Sequence, residues 1–561
     1  MVAASVAVFG GTASAAQSQQ PPRSPVAEGT GGGAATMSPY ATSAAIDVLR
    51  HGGNAVDAAV SAAATLGVTE PFVAGPGGGG FFVYRRASDG KVFTIDGREK
   101  APAGAKPDMF LDANGNPEDF ETAVESGKSV GVPGQVATWG NALDRFGSRS
   151  LSTVFRPAEQ IARKGFPLDP ALASAIAKNQ AKLAHFPDSA RLYLPGGQAP
   201  PAGYRLRNPD LARTYEQIAR HGWRWFYDGP IARELAATVQ HPQTSPGTAP
   251  VEAGTMTARD MADYTAPFRR PVNFSYRGYD LWGMAPPSSG GTTIGETFKI
   301  LQNFDQSGDR VDALYRYMEA SKLAYADRGQ YVGDPDLVDV PVNGLVSDGF
   351  GRERAAKIGP TAAPAPVAYG NPWPYDGGTG SGPYKAGGGS VEQHTNHLVV
   401  SDRWGNTVSY TNTIEQIAGS GILLDGRGFL LNNELTDFNF PTGTANSVAP
   451  EKRPRSSMSP TIITRNGKVV EAVGSPGGST IITTVGQTIL NQIDFGMSLP
   501  DAIAAPRVNQ TNSAKATAEQ AFIDQYGTAL QAKGEQFTPT DYIGIVAGLR
   551  YLPGGMLQTA T

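Results

Sequence analysis

The sequence predicts an α/β protein whose helices and strands are unevenly distributed along the chain. Apolar residues recur at helical spacing before about residue 360, whereas short strand-like segments separated by turn residues dominate after it. Gly, Pro and Ala crowd the stretch 360–389 between the two parts. This pattern leaves two arrangements open: two domains, or one layered α/β structure in which both parts share a sheet.

The helices of the first part are predicted from apolar periodicity. Residues 39–68 read as helices with a turn at 51–54, and small residues cover nearly every face of 57–68, as in a helix buried against a sheet. Helical periodicity continues from about 157 to 240 and returns at 314–328.

A Gly-rich run at 75–80 precedes the strand-like residues 81–84. A phosphate-binding loop opens a helix, with its N–H groups converging on the phosphate. This run opens a strand and lacks a following Lys-Ser/Thr. We therefore interpret it as a tight turn packed beneath a site.

Two β-hairpins are predicted in the second part. Residues 398–400 and 407–410 flank the turn sequence DRWGN, and residues 461–464 and 468–470 flank Arg-Asn-Gly. Asn-Gly favours a two-residue hairpin turn because both positions tolerate positive φ.

The composition excludes several classes of function. The chain has 561 residues, 47 Lys or Arg and 51 Asp or Glu, for a net charge of −4, so general nucleic-acid binding is disfavoured. The absence of cysteine excludes disulfides, thiolate metal sites and a cysteine nucleophile. None of the 6 histidines forms an H-E-x-x-H pair, so zinc hydrolysis is disfavoured. We expect no metal site and no cofactor.

The amino terminus has features of an export signal. Residues 2–9 are apolar, residues 13–15 have the small-x-small form of a signal-peptidase site, and a polar, Pro-rich stretch follows. We expect residues 1–28 to be a signal peptide and flexible segment of a secreted or extracytoplasmic protein; the alternative is a disordered Ala-rich tail. No apolar run of 18 residues indicates a membrane span.

Two residues are candidate nucleophiles. Ser129 lies in a G-x-S-x-G pattern, but the residues before it, ETAVE, are not a buried strand, so we interpret it as a loop residue and keep a serine hydrolase as an alternative. Thr395 begins the first strand after the Gly/Pro-rich stretch. If the His394–Thr395 bond were cut, the new α-amine, with a pKa of about 7.7–8.0, would act as the base for the threonine hydroxyl.

Nine stretches in a fixed order carry a resemblance to a known family. They are GGNAVDAAVSAAATLGVTEP, GPGGGGFF, DGREKAPA, SVGVPG, PPSSGGTT, HTNHLVVSDRWGNTVSYTNTI, GFLLNNELTDF, KRPRSSMSPTI and GSPGGS. The chain resembles the γ-glutamyltranspeptidase family of N-terminal-nucleophile hydrolases from about residue 29 to 510. The resemblance implies a four-layer αββα sandwich in which a helix-rich large chain, 29–394, and a strand-rich small chain, 395–561, share one core after self-cleavage.

The resemblance also assigns catalytic roles. Thr395 would attack the carbonyl of His394 during self-cleavage and then the γ-carbonyl of a donor. Thr413 matches the threonine that hydrogen-bonds the nucleophile. Gly477 and Gly478 match the glycines whose N–H groups form the oxyanion hole.

The remaining matched positions imply a pocket for a γ-glutamyl group. Arg98 matches the arginine that grips the donor's α-carboxylate, and the other matches, to the carboxylate-binding serines and ammonium-binding acids, are Ser456, Ser457, Glu434 and Asp437. Glu415 departs from the family pattern, which has asparagine in contact with the donor's amine, and this leaves the donor preference open.

The implied function is an autoprocessing transferase and hydrolase, a zymogen that cleaves glutathione-like γ-glutamyl amides. The acyl group passes from the threonine ester to water or to an amino acid or peptide. Three alternatives stay open: a cephalosporin or glutaryl acylase of the same fold, the serine hydrolase through Ser129, and an uncleaved binding protein without catalysis.

Overall fold

Two antiparallel β-sheets stacked face to face form the centre of the protein. The structure is a computed structural model, and it describes residues 25–377, 384–385 and 395–561. Most of the predicted signal segment and His394 lie outside these residues.

In chain order, the strands of the described residues are β1 (Val26–Gly29), β2 (Gly32–Thr36), β3 (Gly79–Arg85), β4 (Val92–Gly97), β5 (Phe166–Pro167), β6 (Arg205–Leu206), β7 (Phe268–Arg269), β8 (Val272–Tyr276), β9 (Tyr279–Gly283), β10 (Asn396–Asp402), β11 (Thr407–Thr413), β12 (Thr461–Arg465), β13 (Lys468–Gly474), β14 (Val508–Asn509), β15 (Ala516–Glu519), β16 (Phe537–Thr540), β17 (Ala547–Tyr551) and β18 (Leu557–Ala560).

The helices of the same residues are α1 (Pro39–Arg50), α2 (Ala55–Thr69), α3 (Phe120–Val124), α4 (Gln135–Phe146), α5 (Leu151–Lys164), α6 (Pro170–Lys178), α7 (Gln180–His185), α8 (Pro187–Tyr193), α9 (Pro209–His221), α10 (Trp225–Asp228), α11 (Pro230–Gln240), α12 (Ala258–Ala262), α13 (Gly290–Leu301), α14 (Arg310–Tyr331), α15 (Val342–Leu345), α16 (Asp348–Ala355), α17 (Trp373–Asp376), α18 (Ile481–Ile493), α19 (Leu499–Ala504), α20 (Gln520–Phe522) and α21 (Thr528–Ala532).

Both central sheets combine strands from the two parts of the chain. One sheet has the order β1-β18-β17-β13-β12-β9-β8, and the other has the order β2-β10-β11-β3-β4-β7. In each sheet, strands from beyond residue 394 lie between strands from before it. The layered arrangement is therefore the observed one, and the two-domain alternative is excluded.

Helices cover the outer face of each sheet and complete the four layers. Helix α2 packs on β10 and β11, and α4 packs on β3 and β4. On the opposite side α13 packs on β8 and β9, and α18 packs on β13. The αββα prediction is confirmed.

Alternation along β10 divides its side chains between two apolar cores. Leu398 and Val400 belong to the core beneath the α2 layer. Val399 points the other way and packs with residues of the second sheet. The strand is buried on both faces, which explains its continuous apolar run.

The predicted buried helix at 57–68 lies within α2, in which every residue is buried. Asn54 caps its first turn, accepting from the backbone N–H groups of Val56 and Asp57, while the Asp57 carboxylate accepts from Asn54 N. The Ala-rich sequence lets the helix lie close to the sheet.

The second predicted hairpin turn is also confirmed. Arg465 pairs with Lys468, which leaves Asn466 and Gly467 as the two loop residues, with φ of 51° and 72°. These positive values are those that Asn and Gly tolerate best.

The described part of the Gly/Pro-rich stretch lies against the body of the protein. Ala362 N donates to Lys533 O at 2.7 Å, and Arg354 Nη2 donates to Ala368 O at 3.0 Å. Tyr331 Oη donates to Gly370 O at 2.7 Å. These contacts hold residues 362–370 against both parts of the chain. Within the described ranges, no helix combines the length and apolar character that crossing a bilayer requires.

Candidate active site

One edge of the six-stranded sheet brings three of the predicted site residues together. Thr395 immediately precedes β10, and Thr413 ends the neighbouring β11, where it pairs with Gly79 of β3. Arg98 follows the last residue of β4, the next strand along. Thr395 and Arg98 are thus three strand spacings apart, roughly 14 Å between backbones.

The second sheet brings the predicted oxyanion glycines to the same edge. Strand β13 ends at Gly474, whose α-carbon lies against the ring of His397; a Cβ there would be 2.6 Å from His397 Nδ1. His397 is two residues from Thr395. The loop that follows Gly474 carries Gly477 and Gly478 and leads into α18.

The loop backbone at the two predicted oxyanion residues favours glycine, most strongly at Gly477. Gly477 has a φ of 135° and Gly478 a φ of 57°, and a Cβ on Gly477 would be 2.5 Å from Thr480 Oγ1. L-residues with side chains rarely adopt the first of these conformations. Thr480 N donates to Gly477 O at 3.1 Å, which fixes the turn at the start of the helix.

His397 is a fully buried histidine between the two sheets. Its Nδ1 is 2.8 Å from Thr411 Oγ1, and its Nε2 has no hydrogen-bond partner among the described residues. Burial lowers the pKa of its imidazole to about 3. The ring is therefore neutral at physiological pH and supports Gly474 by packing.

Arg98 lies at the centre of a buried ionic cluster. Its guanidinium forms ion pairs with Glu434 and Asp437. It also donates from Nε to Pro454 O at 3.1 Å and from Nη2 to Arg455 O at 3.0 Å. All three charged side chains are almost completely buried, so each charge depends on its partners.

A short 3₁₀ helix, Glu434–Asp437, presents the two acids. Asn432 anchors its start, since its Oδ1 accepts from Glu434 N at 3.0 Å and from Gly131 N at 2.9 Å. Asn432 Nδ2 donates to Gly77 O at 2.7 Å.

The Gly-rich turn at 75–80 packs beneath this cluster, as predicted. A Cβ on Gly77 would collide with Leu430 O, and one on Gly78 would collide with Thr413 O. Small residues let the backbones of this turn and of the site approach closely.

Glu415 has a strained backbone, with a φ of 78°, and only 2% of its surface is exposed. Its N–H donates to Thr413 Oγ1 at 2.8 Å, and its carboxylate accepts from Asn433 Nδ2 and, at 3.3 Å, from Gln416 Nε2. A left-handed glutamate costs of order 1–3 kcal/mol, and such strain clusters at functional sites.

The predicted serine pair precedes β12 at the same edge of the sandwich. Ser456 Oγ accepts from Met458 N at 3.2 Å, and Ser456 N donates to Pro287 O at 3.0 Å. Ser457 Oγ accepts from Arg328 Nη2 at 2.9 Å. Both serines are fully buried.

The structure thus brings together all the predicted site residues within the described part of the chain. The sequence did not single out three further residues of this region: Arg328, which donates to Ser457, Tyr325, which donates to Ser479 O, and His397, which touches Gly474. The first two lie in the predicted helix at 314–328 and share one face with Tyr317 and Ser321, so the available signal was a polar stripe at helical spacing. His397 lies in a matched motif, but its sequence does not reveal the glycine that it touches.

Ser129, the other candidate nucleophile, is fully buried in the turn after α3. Its Oγ is 2.9 Å from Val124 O and 2.8 Å from Ser126 O, in geometry that suits donation to a carbonyl. The hydroxyl proton is therefore committed to the backbone. This arrangement disfavours the serine-hydrolase alternative.

The family model described as gamma-glutamyltranspeptidase matches residues 41–561. The glutathione hydrolase proenzyme of Bacillus subtilis (strain 168) is 42% identical over 509 residues, covering 89% of this chain and 84% of the relative. That of Escherichia coli (strain K12) is 37% identical, covering 94% of this chain and 89% of the relative.

A solved structure shares the whole architecture. The crystal structure of cephalosporin acylase from Bacillus halodurans superposes with a TM-score of 0.83 and 26% sequence identity. The match covers 99% of this chain and 97% of the acylase chain.

Proposed function

The chain belongs to the gamma-glutamyltranspeptidase family, and we propose that it is a self-processing enzyme that transfers the γ-glutamyl group of glutathione-like amides to water or to the amine of an amino acid or peptide. The observation that carries this proposal is the position of Thr395 at one sheet edge with Thr413, the glycine pair and the Arg98 cluster. No cofactor takes part in the proposed chemistry.

Self-cleavage comes first. Thr395 Oγ attacks the carbonyl carbon of His394, the hydroxyl proton passes to the amide nitrogen as the C–N bond breaks, and the acyl group moves from nitrogen to oxygen. Water then opens the ester. The large chain keeps a carboxylate at His394, and Thr395 gains a free α-amine with an unperturbed pKa near 7.7–8.0. Residues 29–394 and 395–561 are the two proposed chains.

Turnover then uses the amine of Thr395 as the base. It accepts the hydroxyl proton while Oγ attacks the γ-carbonyl, and the N–H groups of Gly477 and Gly478 receive the developing negative charge. The proton passes to the leaving amine as the amide bond breaks. Water or an acceptor amine resolves the ester by the reverse sequence. Thr413 holds the nucleophile in place.

The ionic cluster suits a zwitterionic acyl group. Arg98, with Ser456 and Ser457, takes the α-carboxylate, while Glu434 and Asp437 take the α-ammonium. Binding exchanges part of the existing ion pairs for contacts with substrate, so the buried charges stay compensated. Glu415 lies beside Thr413 and adds a further acceptor for the ammonium.

Amino-terminal sequencing of every band of the purified protein tests the processing step. We expect a fragment that starts TNHLVV and a Thr395→Ala variant that stays uncut and inactive. Thr395→Ser should keep part of both processing and activity, because serine supplies the same hydroxyl and amine. An active wild type with an unbroken chain contradicts the proposal.

A same-fold acylase is the second candidate, favoured by the superposition with cephalosporin acylase. An enzyme that removes a glutaryl group does not require acids for a donor ammonium, because that group carries only a carboxylate. Release of p-nitroaniline from γ-glutamyl-p-nitroanilide and from glutaryl-p-nitroanilide separates the two functions. An enzyme that prefers the glutaryl compound would contradict the γ-glutamyl assignment and support the acylase.

We also propose that the protein is exported. The supporting feature is the apolar segment and small-x-small site of the first 15 residues. In a bacterial host, the large chain should be recovered outside the cytoplasm with a start just after residue 15. Recovery of the intact amino terminus in the cytoplasm would contradict export.

The remaining alternative, an uncleaved binding protein, predicts that the purified protein gives one band on a denaturing gel and shows no turnover.

A further inference from the structure

We propose that Arg328 is a positioning residue that, through Ser457, sets the specificity of the site for acyl groups bearing a terminal carboxylate. This inference rests on the proposed function and deepens it. It assigns a role to a second buried arginine, on α14, that sequence reasoning did not single out.

The contacts of Arg328 are directed at the serine segment. Its Nη2 donates to Ser457 Oγ at 2.9 Å, and its Nε donates to Ser289 Oγ at 2.7 Å. Ser289 in turn is joined to Ser456, because its N–H and its Oγ both contact Ser456 O at 2.7 Å. Arg328 therefore holds both predicted carboxylate-binding serines, one directly and one through Ser289.

The segment Pro454 to Ser457 is thereby held between two arginines. Arg98 reaches the carbonyls of Pro454 and Arg455 on one side, and Arg328 reaches the Ser457 hydroxyl on the other. The Ser457 hydroxyl is thus held in place by a direct hydrogen bond from a buried guanidinium.

The charge balance favours an anionic ligand at this place. Arg328 is only 4% exposed, yet no carboxylate of the described residues lies within ion-pair distance of it. Arg98, by contrast, has two acidic partners, Glu434 and Asp437, and these three side chains together carry a net charge of −1. A buried cation without a counter-ion is costly. An anionic group of the acyl part would supply that counter-charge.

The same helix face also reaches the oxyanion loop. Tyr325, one turn before Arg328, donates from its hydroxyl to Ser479 O at 2.9 Å, immediately after Gly478. The Arg328 guanidinium lies 5.5 Å from the centre of the Tyr325 ring. One turn of α14 thus contacts the carboxylate-binding segment and the loop beside Thr395.

Three p-nitroanilides test the role of Arg328, because they differ in the groups that the acyl part carries. The γ-glutamyl compound has the carboxylate and the ammonium, the glutaryl compound has only the carboxylate, and the 4-aminobutyryl compound has only the ammonium. In Arg328→Gln we expect kcat/KM to fall roughly 10- to 100-fold for the first two, mainly through KM, as for a lost hydrogen bond to a charged group. The third should change less than about 3-fold.

Arg316→Gln, at a half-buried position of the same helix where the guanidinium donates to Asp305 O, is the matched control and should leave all three rates unchanged. Arg328→Lys keeps the positive charge but loses the planar, forked arrangement of donors. It should therefore retain processing and show a smaller rise in KM than Arg328→Gln for the two carboxylate compounds. Equal losses on all three substrates would overturn the proposal, as would a failure of both variants to process. A wild type that prefers the glutaryl compound would reject the γ-glutamyl function, while the Arg328 comparison between glutaryl and 4-aminobutyryl compounds would still stand.

Discussion

At the scale of single residues, burial decides which groups near Thr395 carry charge. Arg98, Glu434 and Asp437 lie in the interior as ion-paired partners, so each buried charge has an opposite charge beside it. His397 has no acidic partner among the described residues and is therefore kept neutral. The charged side chains thus lie in the Arg98 cluster, whereas the imidazole that supports the start of β10 is uncharged.

The neutral state of His397 predicts a pH dependence of stability. Its pKa is about 3 in the folded protein and about 6.5 in an unfolded chain. Below pH 6.5 the unfolded state binds the proton that the folded state refuses, so the free energy of unfolding falls as the pH falls towards 3. Between pH 7 and 4.5 this residue should cost about 2 to 3 kcal/mol.

Urea unfolding of the wild type and of His397→Asn across this pH range measures the effect. The variant should lose less stability on acidification, whereas His51→Asn, at an exposed position, should follow the wild type. Identical slopes for wild type and His397→Asn would show that the imidazole is not the group that titrates on unfolding.

At the scale of elements, the end of β13 sets the position of the loop that carries Gly477 and Gly478, the predicted oxyanion residues. Gly474 approaches the His397 ring so closely that a side chain would displace either the strand or the ring. In Gly474→Ala we expect kcat to fall about 10- to 100-fold with a small change in KM, since an oxyanion donor moved out of place costs transition-state stabilisation. Steady-state kinetics with γ-glutamyl-p-nitroanilide measure both constants.

Gly308→Ala is the control for that substitution, because a Cβ at Gly308 meets nothing within 4 Å and its backbone is unstrained. It should match the wild type. A Gly474→Ala enzyme with an unchanged kcat would mean that the contact with His397 does not position the loop.

The elements were predictable where local pattern alone determines them. The Asn466-Gly467 turn and the small-residue helix α2 follow from residues within a few positions of each other. The orientation of α14 was not predictable, because Arg328 and Tyr325 find their partners in Ser457 and Ser479, far along the chain.

At the scale of the molecule, the order of the strands in each sheet could not be predicted from the residue pattern. Val26 pairs with Ala560, and Leu398 pairs with Thr36, so each sheet depends on contacts across most of the sequence. The αββα architecture was reached only through the ordered motifs. Those motifs also named the site residues at the described sheet edge, while their catalytic roles stay predictions.

The interleaved sheets predict that self-cleavage leaves one particle. Strands β10 and β11 lie between β2 and β3, so separating the two chains would break sheet hydrogen bonds on both sides and expose both cores. In size-exclusion chromatography the fragments should elute together, at the volume of the uncut Thr395→Ala precursor. Separate peaks in native buffer would contradict this expectation; separation only in denaturant would agree with it.

The pairing of β1 with β18 makes a circular permutation of the chain feasible. Because Val26 lies directly opposite Ala560, a few glycines would join the two strands as a new hairpin. The permuted chain would then begin with Met followed by Thr395. Ordinary removal of the initiator methionine would expose the threonine amine as soon as the chain is made. Such a permuted enzyme would need no scission of its own backbone to become active.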